Sequence, residues 1–414
     1  MSIIAPGPMQ GIRPLFILML MPLAVGCQTP QRWISEQEIL DHHAEFLRTY
    51  QADLEAMAAA NTERITSEYL AARRSPENES QHHDILVLSG GGAFGAFGAG
   101  FLEGWGQVTD PGFARPVFDS VSGVSTGALI APFAFLGTPE AYRDITRLYE
   151  NPGRDWVRKR GLIPFLPGNV SVFDISKLHA RIRSTITPDL IQGLAQGAME
   201  GRPLLVGATN MDYGVMRVWD LAQTALDSPM PDAAEKVVSV LLASSAIPGA
   251  FPPILIDDSL YVDGGATMQV VGGLDDRAWL YGHDSAQFSF VGNGPPVKLR
   301  VWIIVNQKLL PDPKLVQSRW TSVAARSLST LIRSSTLQSI QDAETYVRLI
   351  NRHPEFDAEL RYVAIPQDYQ APDSDQMFDA NTMRELVRLG REMGANPASW
   401  RTEALRPGAP FEVR

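Results

Sequence analysis

Two short strand-like runs, the wholly apolar Ile85–Leu88 and Val117-Phe118-Asp119-Ser120-Val121, each lead into a glycine-bearing turn and then a helix-like stretch. No other feature narrows the possible folds as much. A short continuous apolar run is what a strand covered on both faces requires, and strand, turn, helix repeated in that order predicts a parallel sheet flanked by helices. Further strands fit Leu204–Ala208, Val215–Trp219, Leu260–Val262, Leu299–Val305 and Leu360–Ile365. Residues 319–350 read as one or two helices and Asn381–Met393 as a terminal helix. The region from about 150 to 200 is the least regular; Arg154, Arg158, Lys159 and Arg160 beside Leu162–Leu166 suggest a cap over a site. There is no internal repeat.

Composition sets the outer limits. A chain of 414 residues with 45% hydrophobic content can bury a sizeable core in one large domain or two, which excludes disorder as the main state. A formal charge of −10 argues against a surface that neutralises phosphates, so nucleic acid is not an expected partner, and tight attraction to anionic lipid has no support. The single cysteine, Cys27, excludes an intrachain disulfide and a cysteine zinc site. No cluster of metal-ligating residues stands out, so neither a metal nor another cofactor is expected.

The first 26 residues carry one base, Arg13, no acid, and an apolar run from Leu15 to Val25. That run is too short to span about 30 Å of hydrocarbon and reads as the core of an export signal. Its end, Leu23-Ala24-Val25-Gly26-Cys27, resembles the lipobox of bacterial lipoproteins. The resemblance implies cleavage before Cys27, lipidation of that residue and anchorage to the cell envelope, at the outer membrane if the organism has one, since Gln28 rather than aspartate follows. Residues 27–83 then read as a helix and linker. Ser35-Glu36-Gln37-Glu38 is a capping box. Leu40, Leu47 and Leu54, with Tyr50 and Met57 between them, form a stripe expected to pack on the main domain, and 75–83 form a polar linker.

The two glycine turns admit more than one chemistry. Gly90-x-Gly92-x-x-Gly95, with Asp110 twenty residues beyond Gly90, satisfies the letter of a dinucleotide fingerprint. However, Asp110 falls in a polar turn before the second strand rather than at its end. Gly123-Val124-Ser125-Thr126-Gly127 has the form of a nucleophile elbow, with a serine between strand and helix and glycines two positions away on each side. A helix N-terminus at that serine would favour developing negative charge, and Gly90, Gly91 and Gly92 offer unobstructed amides for an oxyanion. A serine nucleophile also needs a base. None of the seven histidines (His42, His43, His82, His83, His179, His283 and His353) sits in a motif; His283 or His353 would complete a Ser-His-Asp triad of the α/β-hydrolase kind. Tyr261-Val262-Asp263-Gly264-Gly265-Ala266 instead places an aspartate directly after a strand, followed by glycines that permit close approach.

Taken together, Gly90–Gly95, Gly123–Gly127, Ala243–Pro253 and Asp263-Gly264-Gly265 occur in the order seen in patatin-like phospholipases, and residues 84–310 resemble that family, with an echo in Phe378-Asp379 and the helix to Gly394. The resemblance implies a three-layer α/β/α sandwich with a mostly parallel central sheet. It also implies a catalytic dyad of Ser125 and Asp263, with Gly90, Gly91 and Gly92 as the oxyanion loop. The implied activity is hydrolysis of lipid acyl esters, of phospholipase A or lysophospholipase type. Residues 311–414 would then be a helical extension packed on the catalytic domain. Phe94 stands where many relatives carry Arg or Lys, which withdraws support for anionic headgroup preference and turnover while leaving the dyad intact. The Ala243–Pro253 block offers no acid or base and reads as scaffold. Two other readings remain: a triad esterase, and an inactive membrane-tethered lipid-binding protein. An aspartate serving as base toward a hydroxyl must be buried to gain basicity, so Asp263 is expected in an apolar setting beside Ser125.

Overall fold

The computed structural model describes residues 34–53, 56, 82–153, 155–159, 171–269, 296–352, 356–372 and 377–404. In chain order these form α1 (residues 36–53), β1 (His82–Leu88), α2 (Gly95–Trp105), β2 (Ser120–Val124), α3 (Thr126–Leu136) and α4 (Pro139–Glu150). Then come the short strands β3 (Arg158–Lys159) and β4 (Phe173–Asp174), followed by α5 (Ser176–Thr185), α6 (Pro188–Met199), β5 (Leu204–Asn210) and β6 (Val215–Asp220). They are followed by α7 (Leu221–Asp227), α8 (Met230–Ser244), β7 (Ile254–Ile256), β8 (Ser259–Asp263) and β9 (Val297–Val305). The chain closes with α9 (Trp320–Ile350), β10 (Phe356–Ala364) and α10 (Ala380–Gly394).

The sheet runs β10-β9-β1-β2-β5-β8-β7, with β6 also paired to β5. The strands from β10 to β5 are mutually parallel, and β6, β7 and β8 are antiparallel additions. Alternation along β1 divides the interior in two. Leu86 and Leu88 point into the larger core with α2, α3, α4 and α10. Ile85 and Val87 point into the smaller core beneath α9, with Ile340, Val347 and Ile350. Helices on both faces of a mostly parallel sheet make this an α/β/α sandwich, as the apolar β1 run required.

Several expectations are corrected. The second strand is Ser120–Val124 rather than 117–121, and Val117 is exposed. His82 and His83 belong to β1 and not to a linker, where buried Asp84 receives two hydrogen bonds from Arg300 on β9. The region from 150 to 200 contains two ordered helices; Thr187 caps α6 by accepting from the Leu190 amide, with Pro188 in its first turn. The chain after residue 310 is not helical throughout, because β10 extends the central sheet in parallel with β9. No structural break therefore falls at 310. In α10, Gly390 and Gly394 meet Phe97 and Phe101 backbone of α2, and Gly100 meets Val387. Bare glycines let these two helices approach backbone to backbone.

The capping box at Ser35 forms as read: Ser35 donates its amide to Glu38 at 2.7 Å, and the Glu38 amide donates back to the Ser35 hydroxyl at 3.2 Å. The packing face of α1 differs from the expected stripe. Phe46 stacks on Tyr213 with ring centroids 3.7 Å apart, whereas Leu40 and Leu47 are exposed. Leu54, Met57 and the segment 75–81 lie outside the described residues, as do Cys27 and the whole export-signal region. Among the described residues no helix is long and apolar enough to cross a membrane.

Candidate active site

Ser125 sits at the turn from β2 into α3, with φ 56 and ψ −124. That backbone is unfavourable for any residue with a Cβ and persists only where its surroundings enforce it. A Cβ on Gly123 would strike the backbone of Gly127 and Ala128, so the elbow's tightness depends on glycine. Ser125 is the N-cap of α3, yet its side chain makes no capping hydrogen bond. The hydroxyl is instead close enough to the Asp263 carboxylate to draw its pKa down. Serine and carboxylate are 5% and 6% exposed, respectively, so the pair is largely shielded from water.

Strand register brings the two together. β6 occupies one edge of β5 along Leu205–Asn210, leaving the other edge to be shared. There β2 pairs with Leu204–Gly207 and β8 takes over at Ala208–Asn210. Val124 lies opposite Gly207 and Asp263 opposite Ala208, so the residue after Val124 necessarily abuts Asp263. Asp263 is then held by its own amide donating to the Ala246 carbonyl at 2.9 Å, and by its carboxylate accepting from the Gly265 amide at 2.8 Å. Burial pushes its carboxyl up to about 6, while the hydrogen bonds with Ser125 and Gly265 pull downward. An aspartate so placed is a stronger base than one in water.

The block Ala243–Pro253 has a more direct role than scaffold. Ser244 accepts from the Ser125 amide at 3.0 Å and donates to the Gly207 carbonyl at 2.7 Å. Ser245 lies 3.3 Å from the Ser125 carbonyl, and Ala246 receives the Asp263 amide. One helix end thus holds both members of the pair. Both serines belong to the block that carries the resemblance, and nothing else in the sequence pointed to them.

The glycine loop after β1 lies against the same point. Gly91 and Gly92 line a cavity with Ser125 and Asp263, and Gly92 takes φ +57. A Cβ on Gly91 would collide with the Asn306 carbonyl oxygen. Asn306 follows β9 and is fully buried; its side-chain amide donates to the Ser89 carbonyl at 2.8 Å and its backbone amide donates to the Ser89 hydroxyl at 2.9 Å. The loop is thereby moored to a strand far along the chain, by a residue that sequence reasoning missed. Gly90 stands closest to the serine: a Cβ there would lie 3.1 Å from Ser125 Cβ.

Two cavities meet at Ser125, sharing Gly92, Ser125 and Ile247. The first, of about 80 Å³, is a mainly apolar channel walled by Leu129, Phe133, Ile145, Ile182, Phe251 and Phe378, among others. The second, of about 320 Å³, has a mixed lining that includes Phe94 and Ile332 and reaches Lys308, Arg333 and Tyr369. No histidine lines either cavity among the described residues; His179 lies on α5, and His283 and His353 fall outside the described residues. Asp110 accepts from the Gly112 amide in an exposed turn ahead of β2, away from the position a ribose-binding acid would need. Among the described residues no group of side chains could hold a metal ion.

Fold and site together define an α/β/α protein in which an elbow serine stands beside a buried aspartate where an apolar channel meets a second, wider cavity. Residues 86–270 match the family model of patatin-like phospholipases, whose members are in general lipid acyl hydrolases. Among solved structures, VipD from Legionella pneumophila aligns at 15% identity over 78% of this chain and 68% of that one, with a TM-score of 0.32. No curated protein matches the chain.

Proposed function

We propose that this protein hydrolyses acyl esters of membrane lipids, as a phospholipase A or lysophospholipase, through the pair Ser125 and Asp263. The observation that carries the reading is a buried carboxylate beside the elbow serine, its pKa pushed up to about 6 by burial and drawn down by the Ser125 hydroxyl. Asp263 takes the hydroxyl proton as Ser125 Oγ bonds to the ester carbonyl carbon. The carbonyl electrons move onto oxygen, where the Gly90–Gly92 loop and the N-terminus of α3 favour the charge. As the intermediate collapses, the carbon–oxygen bond to the leaving alcohol breaks and Asp263 returns the proton to that oxygen. Water then attacks the acyl-serine with Asp263 again accepting a proton, and the fatty acid leaves with Ser125 restored. The apolar channel accommodates the acyl chain, and its low polarity sustains the basicity that Asp263 needs.

The test is activity-based labelling with a fluorophosphonate, combined with hydrolysis of a lysophospholipid. The wild type should be labelled and active, Ser125→Ala should be neither, and Asp263→Asn should lose hydrolysis while His283→Ala and His353→Ala keep it. Loss of activity on replacing a histidine, with Asp263→Asn still active, would establish a triad instead. A folded wild type that is neither labelled nor active would leave a lipid-binding role.

A further inference from the structure

The outward side of α9 changes character halfway along the helix. In its second half Thr336, Ile340 and Val347 face the core, and the opposite side carries Gln338, Asp342 and Thr345, exposed and polar as an exterior helix requires. In its first half that same outward side carries Trp320, Val323 and Leu331, all exposed, with Leu331 at 67%. Leu315, five residues ahead of the helix, is 95% exposed. Single exposed apolar side chains are ordinary, but four of the thirteen large ones exposed among the described residues fall between positions 315 and 331, and such a cluster marks an interaction surface.

The inner side of this half faces a cavity in place of the core. Leu328, Ser329, Ile332 and Arg333 line the wider cavity, which contains Ser125. This stretch of helix is therefore a wall, with the serine's cavity behind it and an apolar stripe in front.

Charge says what the stripe meets. From Pro313 to Gln341 the sequence holds Lys314, Arg319, Arg326 and Arg333 and no acid. Asp312, just ahead, is ion-paired with Lys308 at 2.9 Å. The formal charge of −10 for the whole chain spoke against anionic lipid. Charges are screened over about 8 Å at physiological ionic strength, however, so the local surplus of cations outweighs acids elsewhere on the molecule. A second copy of this chain is a poor fit, because a two-fold axis through the stripe would set these cations against themselves. A lipid surface with anionic headgroups offers both an apolar layer for the stripe and negative charge for its flank.

We propose that the first half of α9, with Leu315 ahead of it, docks on an anionic lipid surface: Trp320, Val323 and Leu331 enter the interface while Lys314, Arg319 and Arg326 meet the headgroups. Docking holds the wall of the Ser125 cavity against the bilayer. The proposal stands on exposure and charge, whether or not Ser125 is reactive, so it and the ester-hydrolase reading fail separately. Each Lys or Arg held near an anionic membrane strengthens binding about fivefold.

The test places an environment-sensitive nitrobenzoxadiazole label at single positions of the full chain, made inactive by Ser125→Ala and freed of its one native thiol by Cys27→Ala. On vesicles of equal phosphatidylglycerol and phosphatidylcholine, emission from a label at Leu331→Cys should shift to the blue, and a label at Val323→Cys should repeat the shift. A label at Gln338→Cys, on the polar half of the same side, should not shift. Adding Lys314→Gln and Arg319→Gln together should cut the ratio of inserted to free label at position 331 about twenty- to thirtyfold, and high salt should lower it too. These readouts report position along α9, so an attachment of the chain to the vesicle elsewhere does not mimic them. No shift at positions 331 and 323, an equal shift at position 338, or a shift undiminished on pure phosphatidylcholine overturns the proposal. A shift that grows with protein concentration in the absence of vesicles identifies a second copy as the occupant and overturns it as well. Hydrolysis of a soluble p-nitrophenyl ester by the wild type decides the ester-hydrolase reading by itself, whatever the labels show.

Discussion

Replacing Asp263 with asparagine separates the energetic cost of the buried carboxylate from its chemistry. The carboxyl titrates at about 6 in the fold against 3.8 for an unperturbed aspartate. At 1.36 kcal/mol per pKa unit, ionising it in place costs about 3 kcal/mol more than ionising it in the unfolded chain. The native state holds the proton more tightly, so the stability associated with the neutral acid is fully present below pH 3.8 and is lost as pH rises through about 6. Linkage over those two values gives a loss on the order of 1 kcal/mol between pH 5 and pH 8. The substituted asparagine cannot ionise, yet it keeps an oxygen to accept from the Gly265 amide. Paired urea melts of wild type and Asp263→Asn should therefore show the variant gaining on the order of 1 kcal/mol relative to wild type between pH 5 and pH 8, while its esterase activity is absent at both. In the wild type, kcat/KM should rise with pH below about 6 and level off above it, as the carboxylate forms. A stability difference independent of pH, or one favouring wild type as pH rises, would refute the claim that burial raises this carboxyl.

Two further outcomes test the site's supports. Ser244→Ala removes the acceptor for the buried Ser125 amide and the donor to the Gly207 carbonyl. It should cost about 1–3 kcal/mol in urea melts and lower kcat more than it raises KM, whereas a neutral result would mean that the elbow holds itself. Ile182→Trp should fill part of the apolar channel and shift preference toward shorter acyl chains in a series of p-nitrophenyl esters; an unchanged chain-length profile would show that the acyl group lies elsewhere.

The elements that could be read in the sequence are those whose signal is local. The β1 run, the two glycine turns, the capping box at Ser35 and the Asp-Gly-Gly turn each declare themselves within a few residues, because burial on both faces, a tight turn and helix capping all constrain neighbouring positions. Strand ends are less legible. β2 begins at Ser120, since Val117, although apolar, lies outside the sheet. α1 packs through Phe46 instead of its leucine stripe, because its partner is a single tyrosine on the turn after β5 and not a long apolar surface. The helices α5 and α6 are masked by the irregular, basic stretch that precedes them.

By itself the sequence determined that a serine would stand at a strained turn between strand and helix, that unhindered amides would follow the first strand, and that an aspartate would close a later strand. Tertiary structure decided what those pieces became. The hand-over from β2 to β8 along one edge of β5 sets Asp263 against Ser125, and the ends of α8 and β9 moor both turns through Ser244 and Asn306. Arg333, Gln269 and Tyr369 meet in one cavity only because α9 and the segment after β10 return to the mouth of the sheet. Such meetings depend on which strand lies beside which, a choice set by burial summed over the whole core and not by spacing along the chain.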